Sequence, residues 1–251
     1  MRNDASYRCE VHSVTAFVQR VAVDLVQHGH WFYVTGTIPE RKEPRSVDAK
    51  LIDLYGLNIS KWARARRKGN GEASVHYVRF GRSFVLIATK GRHAFFEFES
   101  NIQDVRRKPL HLAGYNISYR RGVDRRYHVS VRIAPAEYLG LKNHLVGLAA
   151  HRSIERLTQE FRRIPFEPYA PIRRQLLNIL RAVNRVRKSA GFELVPVGVL
   201  RLRRRIVKPF GTPIDDRVAK VNPPEGSGEA PEPGRGRKPC TSHRTRPRPS
   251  D

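Results

Sequence analysis

An α+β fold follows from three features of this 251-residue chain. Short β-branched and aromatic runs, separated by turn residues, fill the first half. Helical apolar stripes take over from about residue 134. Hydrophobic residues make up 39% of the chain, enough to bury a core. The expected layout is an α+β domain over 1–133 with a mixed or antiparallel sheet, a helical part over 134–210, and a disordered Pro/Gly/Arg-rich tail over 211–251.

Ser13 is placed to cap a helix running to about Gln27, with Val14, Phe17, Val18, Val21, Leu25 and Val26 on one buried face and Gly29 as its stop. Trp31 to Thr35 is aromatic and β-branched, the composition of an inner strand. After a polar loop from Pro39 to Arg45, Ser46 is expected to cap a helix through Tyr55 that Gly56 terminates. Ser60 is expected to cap Lys61 to Lys68, stopped by Gly69. Val75 to Phe80 and Ser83 to Ala88 form a hairpin around Gly81-Arg82, where glycine at the first turn position suits a type II′ turn. A helical turn is expected over 93–98. Tyr115, Ile117 and Tyr119, and then Tyr127, Val129, Val131 and Ile133, alternate with polar residues. They mark two amphipathic strands joined by the basic loop Arg120 to Arg126.

Pro135 opens a helix whose buried stripe is Tyr138, Leu141, Leu145 and Leu148. Ser153 caps the next, with Ile154, Leu157 and Phe161 inside. A longer helix runs from Pro171 to about Ala190, with Ile172, Leu176, Ile179, Leu180 and Val183 on its dry side and Gly191 at its end. Beyond about residue 212 the chain lacks apolar residues to bury, which predicts disorder.

The formal net charge is +25. Residues 1–210 hold 40 Lys and Arg against 17 Asp and Glu, while 211–251 hold 8 against 6, so the basicity belongs to the folded part. Pro171 to Lys208 carries eleven bases and one acid, Glu193. Such a surface repels itself until an acidic partner neutralises it, and a polyphosphate is the partner that fits. DNA is expected first and RNA second, with no membrane role. The two cysteines, Cys9 and Cys240, form no disulfide framework. Together with the lack of a signal-peptide pattern or a long apolar run, they point to the cytoplasm.

Three groups of residues are candidates for function. The first is Val47 to Lys68, whose spacing resembles a helix-turn-helix. Leu51 and Tyr55 would pack the first helix, Gly56 and Leu57 would make the turn, and Trp62 and Ala65 would pack the second. Lys61, Arg64, Arg67 and Lys68 would then face DNA, with the hairpin at 75–88 as a wing. The second is the basic helix and arm at 171–208. Arg174, Arg181, Arg185 and Lys188 stack along one helix face, and Arg201, Arg203 and Arg205 alternate with Leu200 and Leu202 as on a strand with one dry side. The two groups together would clamp one duplex, without catalysis and without a cofactor. Replication, transposition or regulation in a mobile element is a fitting setting.

The third is chemical. His28-Gly29-His30 beside a strand, with Tyr138 and Lys142 on a later helix, resembles the rolling-circle initiators and relaxases of the HUH type. That resemblance implies a divalent ion held by His28 and His30, nucleophilic attack on single-stranded DNA by Tyr138, and Lys142 nearby. An RNA- or ribosome-associated binder is a further alternative. No phosphate-cradling glycine loop, zinc spacing or nucleophile elbow is present.

Overall fold

A computed structural model describes residues 7–122 and 124–211. The tail expected to be disordered lies outside them, apart from Gly211. The described residues form seven α-helices and two antiparallel sheets, a mixed α+β architecture. They belong to one contact unit, Met1–Pro213.

α1 spans Val14–Gln19, and Ser13 caps it by accepting from the Ala16 N–H at 3.1 Å. Its winding then changes. Arg20–Leu25 is a π-helical turn, in which the N–H of Val26 reaches back to Val21 O, and Val26–His28 tightens to a 3-10 turn. Gly29 ends the segment at φ +93°.

β1 (Phe32–Thr37), β2 (Val75–Phe80), β3 (Ser83–Ala88) and β4 (Gln103–Asp104) form the first sheet, in the order β2-β3-β1-β4. The β2–β3 hairpin turns at Gly81, φ +58°, and Arg82 is not among the positive-φ residues, as a type II′ turn requires. Both faces of this sheet are covered. Val75, Tyr77, Leu86 and Ala88 pack with Tyr55, Leu57 and Phe95, while Val78, Val85, Ile87 and Tyr33 pack with α1 and the second sheet. That double burial explains why β3 reads as an unbroken apolar run from Phe84 to Ala88, and why β2 is buried at every residue from Val75 to Arg79 rather than at alternate ones.

The open edge of β2 is closed by the N-terminal segment. Arg79 N–H donates to Cys9 O, Val11 N–H donates to Arg79 O, and the Tyr7 hydroxyl both donates to Tyr77 O and accepts from Tyr77 N–H.

α2 (Pro44–Leu54) starts two residues before the serine expected to cap it. Pro44 takes the first helical position, where its missing N–H costs nothing, and Ser46 lies inside the helix. Gly56, at φ +54°, ends it with paired bonds: Gly56 N–H to Asp53 O and Leu57 N–H to Ile52 O. α3 (Lys61–Gly69) is capped by Ser60, and α4 (Phe95–Phe98) is one short turn.

β5 (Leu110–Leu112), β6 (Tyr115–Arg121) and β7 (Tyr127–Ile133) form the second sheet in chain order. Val105 joins the two sheets: its N–H donates to Trp31 O and its carbonyl accepts from Tyr119 N–H. α5 (Pro135–Leu148), α6 (Ile154–Arg162) and α7 (Ala170–Ser189) follow. A single apolar cluster takes residues from α1, both sheets and all three of these helices, so the segments on either side of residue 134 share one core.

Candidate nucleic-acid interface

α7 carries six bases, Arg173, Arg174, Arg181, Arg185, Arg187 and Lys188, and no acid. Ile172, Leu176, Ile179, Leu180 and Val183 are buried, which fixes the rotation of the helix. Gln175 anchors it to β7, its amide bonding both the N–H and the carbonyl of Ile133. Arg174, Arg181, Arg185 and Lys188 are therefore exposed, as the spacing predicts, and Arg173 joins them. Among the described residues none of these five is within ion-pair distance of an acid. From Arg174 to Lys188 the stripe runs ~21 Å along the helix axis.

Arg187 differs from its neighbours. It is 3% exposed, and its guanidinium donates to the carbonyls of Ala149, Arg152 and Glu193. Ala149 caps the C-terminal end of α5, where partial negative charge collects, so a buried cation is balanced there without a carboxylate.

The arm beyond residue 200 belongs to no helix or sheet. Leu200 is buried and Leu202 packs on the core, while Arg201, Arg203 and Arg205 are exposed. Buried Glu167 holds this arm. Its carboxylate accepts from Arg201 Nη2 at 2.9 Å and from the Arg205 backbone N–H at 3.0 Å. Arg204 lies over the Tyr169 ring at 4.8 Å. Further on, Val207 bonds Gln19 through both its backbone groups. Arg201 is thus partly committed to an internal acid that lies 34 residues away and outside the basic stretch.

α3 is rotated away from the orientation expected of a reading helix. Trp62 is 81% exposed and Ala65 is exposed, so neither packs. Arg64 and Arg67 instead turn toward the body. Arg64 Nη2 donates to Leu57 O at 3.3 Å, and Arg67 Nε pairs with Glu72 at 3.7 Å. Lys61 and Lys68 face solvent as expected, now beside Trp62 and Arg66. Leu51, Tyr55 and Leu57 take inward positions as predicted, with Tyr55 and Leu57 buried and Leu51 packed against the same core.

His28 and His30 are not neighbours on a strand. His28 ends the 3-10 turn, Gly29 reverses the chain, and β1 begins at Phe32. His28 is exposed. His30 is buried, with Nδ1 on Leu25 O at 3.1 Å and its ring edge-on to His76 at 5.0 Å between centroids. Burial, with nearby Arg20, holds His30 down to about 4 and His76 to about 2, so both rings are neutral at neutral pH. Tyr138 packs against the core in line with Leu141 and Leu148, and Lys142 follows one turn on. Among the described residues no hydrogen bond or ring contact links Tyr138 to either histidine, and no group of three or more His, Cys, Asp or Glu converges to hold a metal ion.

An open cleft of about 1060 Å³ lies between the N-terminal segment and α2, lined by Glu10, Arg45, Asp48, Asp53 and Arg67 among others. Its acids and bases offset one another. No helix among the described residues is long and apolar enough to cross a membrane. No family model, curated protein or solved structure matches the chain.

Proposed function

We propose that this protein binds double-stranded DNA through the phosphate backbone, with the exposed face of α7 laid along one strand. The role is binding, without a chemical step. The observation that carries the reading is the set Arg173, Arg174, Arg181, Arg185 and Lys188: exposed, on one helix, and without an acidic partner among the described residues. Each strand carries a phosphate every 3.4 Å or so of duplex axis, but the winding strand itself spaces them about twice as far apart, so ~21 Å of helix laid along it meets about three of them. Arg203, exposed on the arm, is a further base for the same partner. Arg64 and Arg67 drop out of the contact set because Arg64 is bonded to Leu57 O and Arg67 is paired with Glu72. Binding of this kind tolerates sequence, since phosphates carry no base identity.

The test is duplex affinity against salt. Each lost phosphate contact flattens the slope of log K on log salt by about 0.9. Arg174→Ala, Arg181→Ala and Arg185→Ala together should weaken binding and reduce the slope by two to three units or so. Unchanged affinity and slope in a triple variant with native circular dichroism would overturn the proposal.

A further inference from the structure

The face of the β6–β7 ribbon that fills the core does not stop where the core stops. On that face Tyr115 pairs with Ile133, Ile117 with Val131, Tyr119 with Val129, and Arg121 with Tyr127. Tyr115, Ile117, Val131 and Ile133 are buried, and Tyr127 is 55% exposed. Tyr119 and Tyr127 stack with centroids 5.7 Å apart and planes 21° apart. Tyr119 meets Trp31 at 5.6 Å, and the Arg106 guanidinium lies 4.3 Å from the Trp31 ring centroid. The Val105 junction between the sheets brings these four side chains together. The result is a continuous ladder, Arg106–Trp31–Tyr119–Tyr127, whose last ring opens to solvent.

The surroundings select the partner. Arg107, Arg121, Arg125 and Arg126 are all exposed near the ladder, with Arg121 on its face of the ribbon. The two nearby acids are already engaged: Asp104 with Arg106 at 2.6 Å, and Asp124 with His128 at 2.7 Å. A flat ring in a basic rim suits a ligand that has π faces and negative charge on one chain. In a duplex the bases are stacked on each other and their faces are closed to Tyr127.

We infer that Arg106, Trp31, Tyr119 and Tyr127 form a stacking platform for unpaired bases, so that this surface binds single-stranded nucleic acid. The choice of partner rests on the nucleic-acid reading above, but the residues are separate from those of α7. A base on the free face of Tyr127 adds one rung to the ladder, while the surrounding arginines hold its phosphates.

Three ligands are compared at equal salt: an oligothymidylate, an abasic oligomer with the same number of phosphates, and a hairpin duplex. Oligothymidylate should bind roughly five-fold or more tightly than the abasic strand, read by the fluorescence anisotropy of labelled strands. Tyr127→Ala should remove that difference, Tyr127→Trp should keep it, and neither should alter duplex binding. Equal binding of thymidylate and abasic strands by the unmutated chain would overturn the inference without recourse to any variant. So would equal losses for single strand and duplex in Tyr127→Ala. The α7 triple variant separates the two proposals. Lost duplex binding with a retained thymidylate preference supports both, whereas full duplex binding sinks the α7 reading and leaves the platform standing.

Discussion

Arg79 grips Asp48 in a bidentate pair, Nε to Oδ1 and Nη2 to Oδ2, each at 2.8 Å. The two side chains are 3% and 10% exposed. The Tyr77 hydroxyl donates to the same Asp48 oxygen at 2.6 Å, so two residues of β2 two apart converge on one carboxylate of α2. Glu10 meets the far side of the guanidinium at 3.2 Å. The network ties α2, the N-terminal segment and the first sheet together.

Asp48→Ala leaves a buried guanidinium and a phenol without their partner. It should destabilise the fold by about 3–5 kcal/mol, read as a shift in urea midpoint. A loss under about 1 kcal/mol would show that water reaches and solvates this pair. Cys9 sits beside the network, and burial, reinforced by Asp48, pushes its thiol up to about 12. It should resist alkylation at pH 8 until the protein unfolds.

Acid should weaken the fold well before its carboxylates titrate. His30 and His76 are buried and neutral, held down to about 4 and about 2. In the unfolded chain they take up protons near pH 6.5. Below that value the unfolded state binds more protons than the native one, so stability falls as pH drops from 6.5 toward 4 and below, and is fully present above 6.5. His76→Gln, close in size, should flatten the decline between pH 6.5 and 4 in denaturation curves. An unchanged slope would place the acid sensitivity elsewhere.

Arg187 and Arg185 lie two positions apart on one helix and should behave oppositely. Arg187→Ala strands the carbonyls of Ala149, Arg152 and Glu193 and should cost about 2–4 kcal/mol. Lysine should not restore it, because one ammonium cannot reproduce a three-way fork. Arg185→Ala should change stability by no more than about 0.5 kcal/mol. Thermal melts of the three variants decide the matter.

Glu167→Ala should release the arm. Trypsin would then cut after Arg201 to Arg205 faster than in the native chain, while the core remains folded by circular dichroism. Equal cleavage rates would mean that Leu200, Leu202 and Val207 hold the arm unaided.

Much of this architecture is legible in the residues alone. Serine caps at Ser13, Ser60 and Ser153, the hairpin at Gly81 and the dry side of α7 all rest on local chemistry or on several turns of consistent period. α3 reads wrongly because nine residues give only two and a half turns or so, and Trp62, Ala63 and Ala65 do not lie on one stripe. An arginine stem can lie against the body while a lone tryptophan does not, and here Arg64 bonds Leu57 O while Trp62 is exposed. β4 and β5 are two and three residues long and carry no period at all. Glu167 and Arg106 acquire their roles from partners remote in the chain or from a junction between sheets, which no local pattern announces. The His28–His30 spacing suits a strand, but the left-handed Gly29 splits it.

The π-helical turn at Arg20–Leu25 has a consequence for descent. A wide turn of this kind takes up one surplus residue while the flanking helix faces keep their phase, so Phe17 before it and Val26 after it both reach the core. Packing, rather than regular winding, fixes where β1 begins. Homologues one residue shorter between Gln19 and Val26 would keep the same interior with an ordinary helix in this place, and an alignment gap there would mark the insertion.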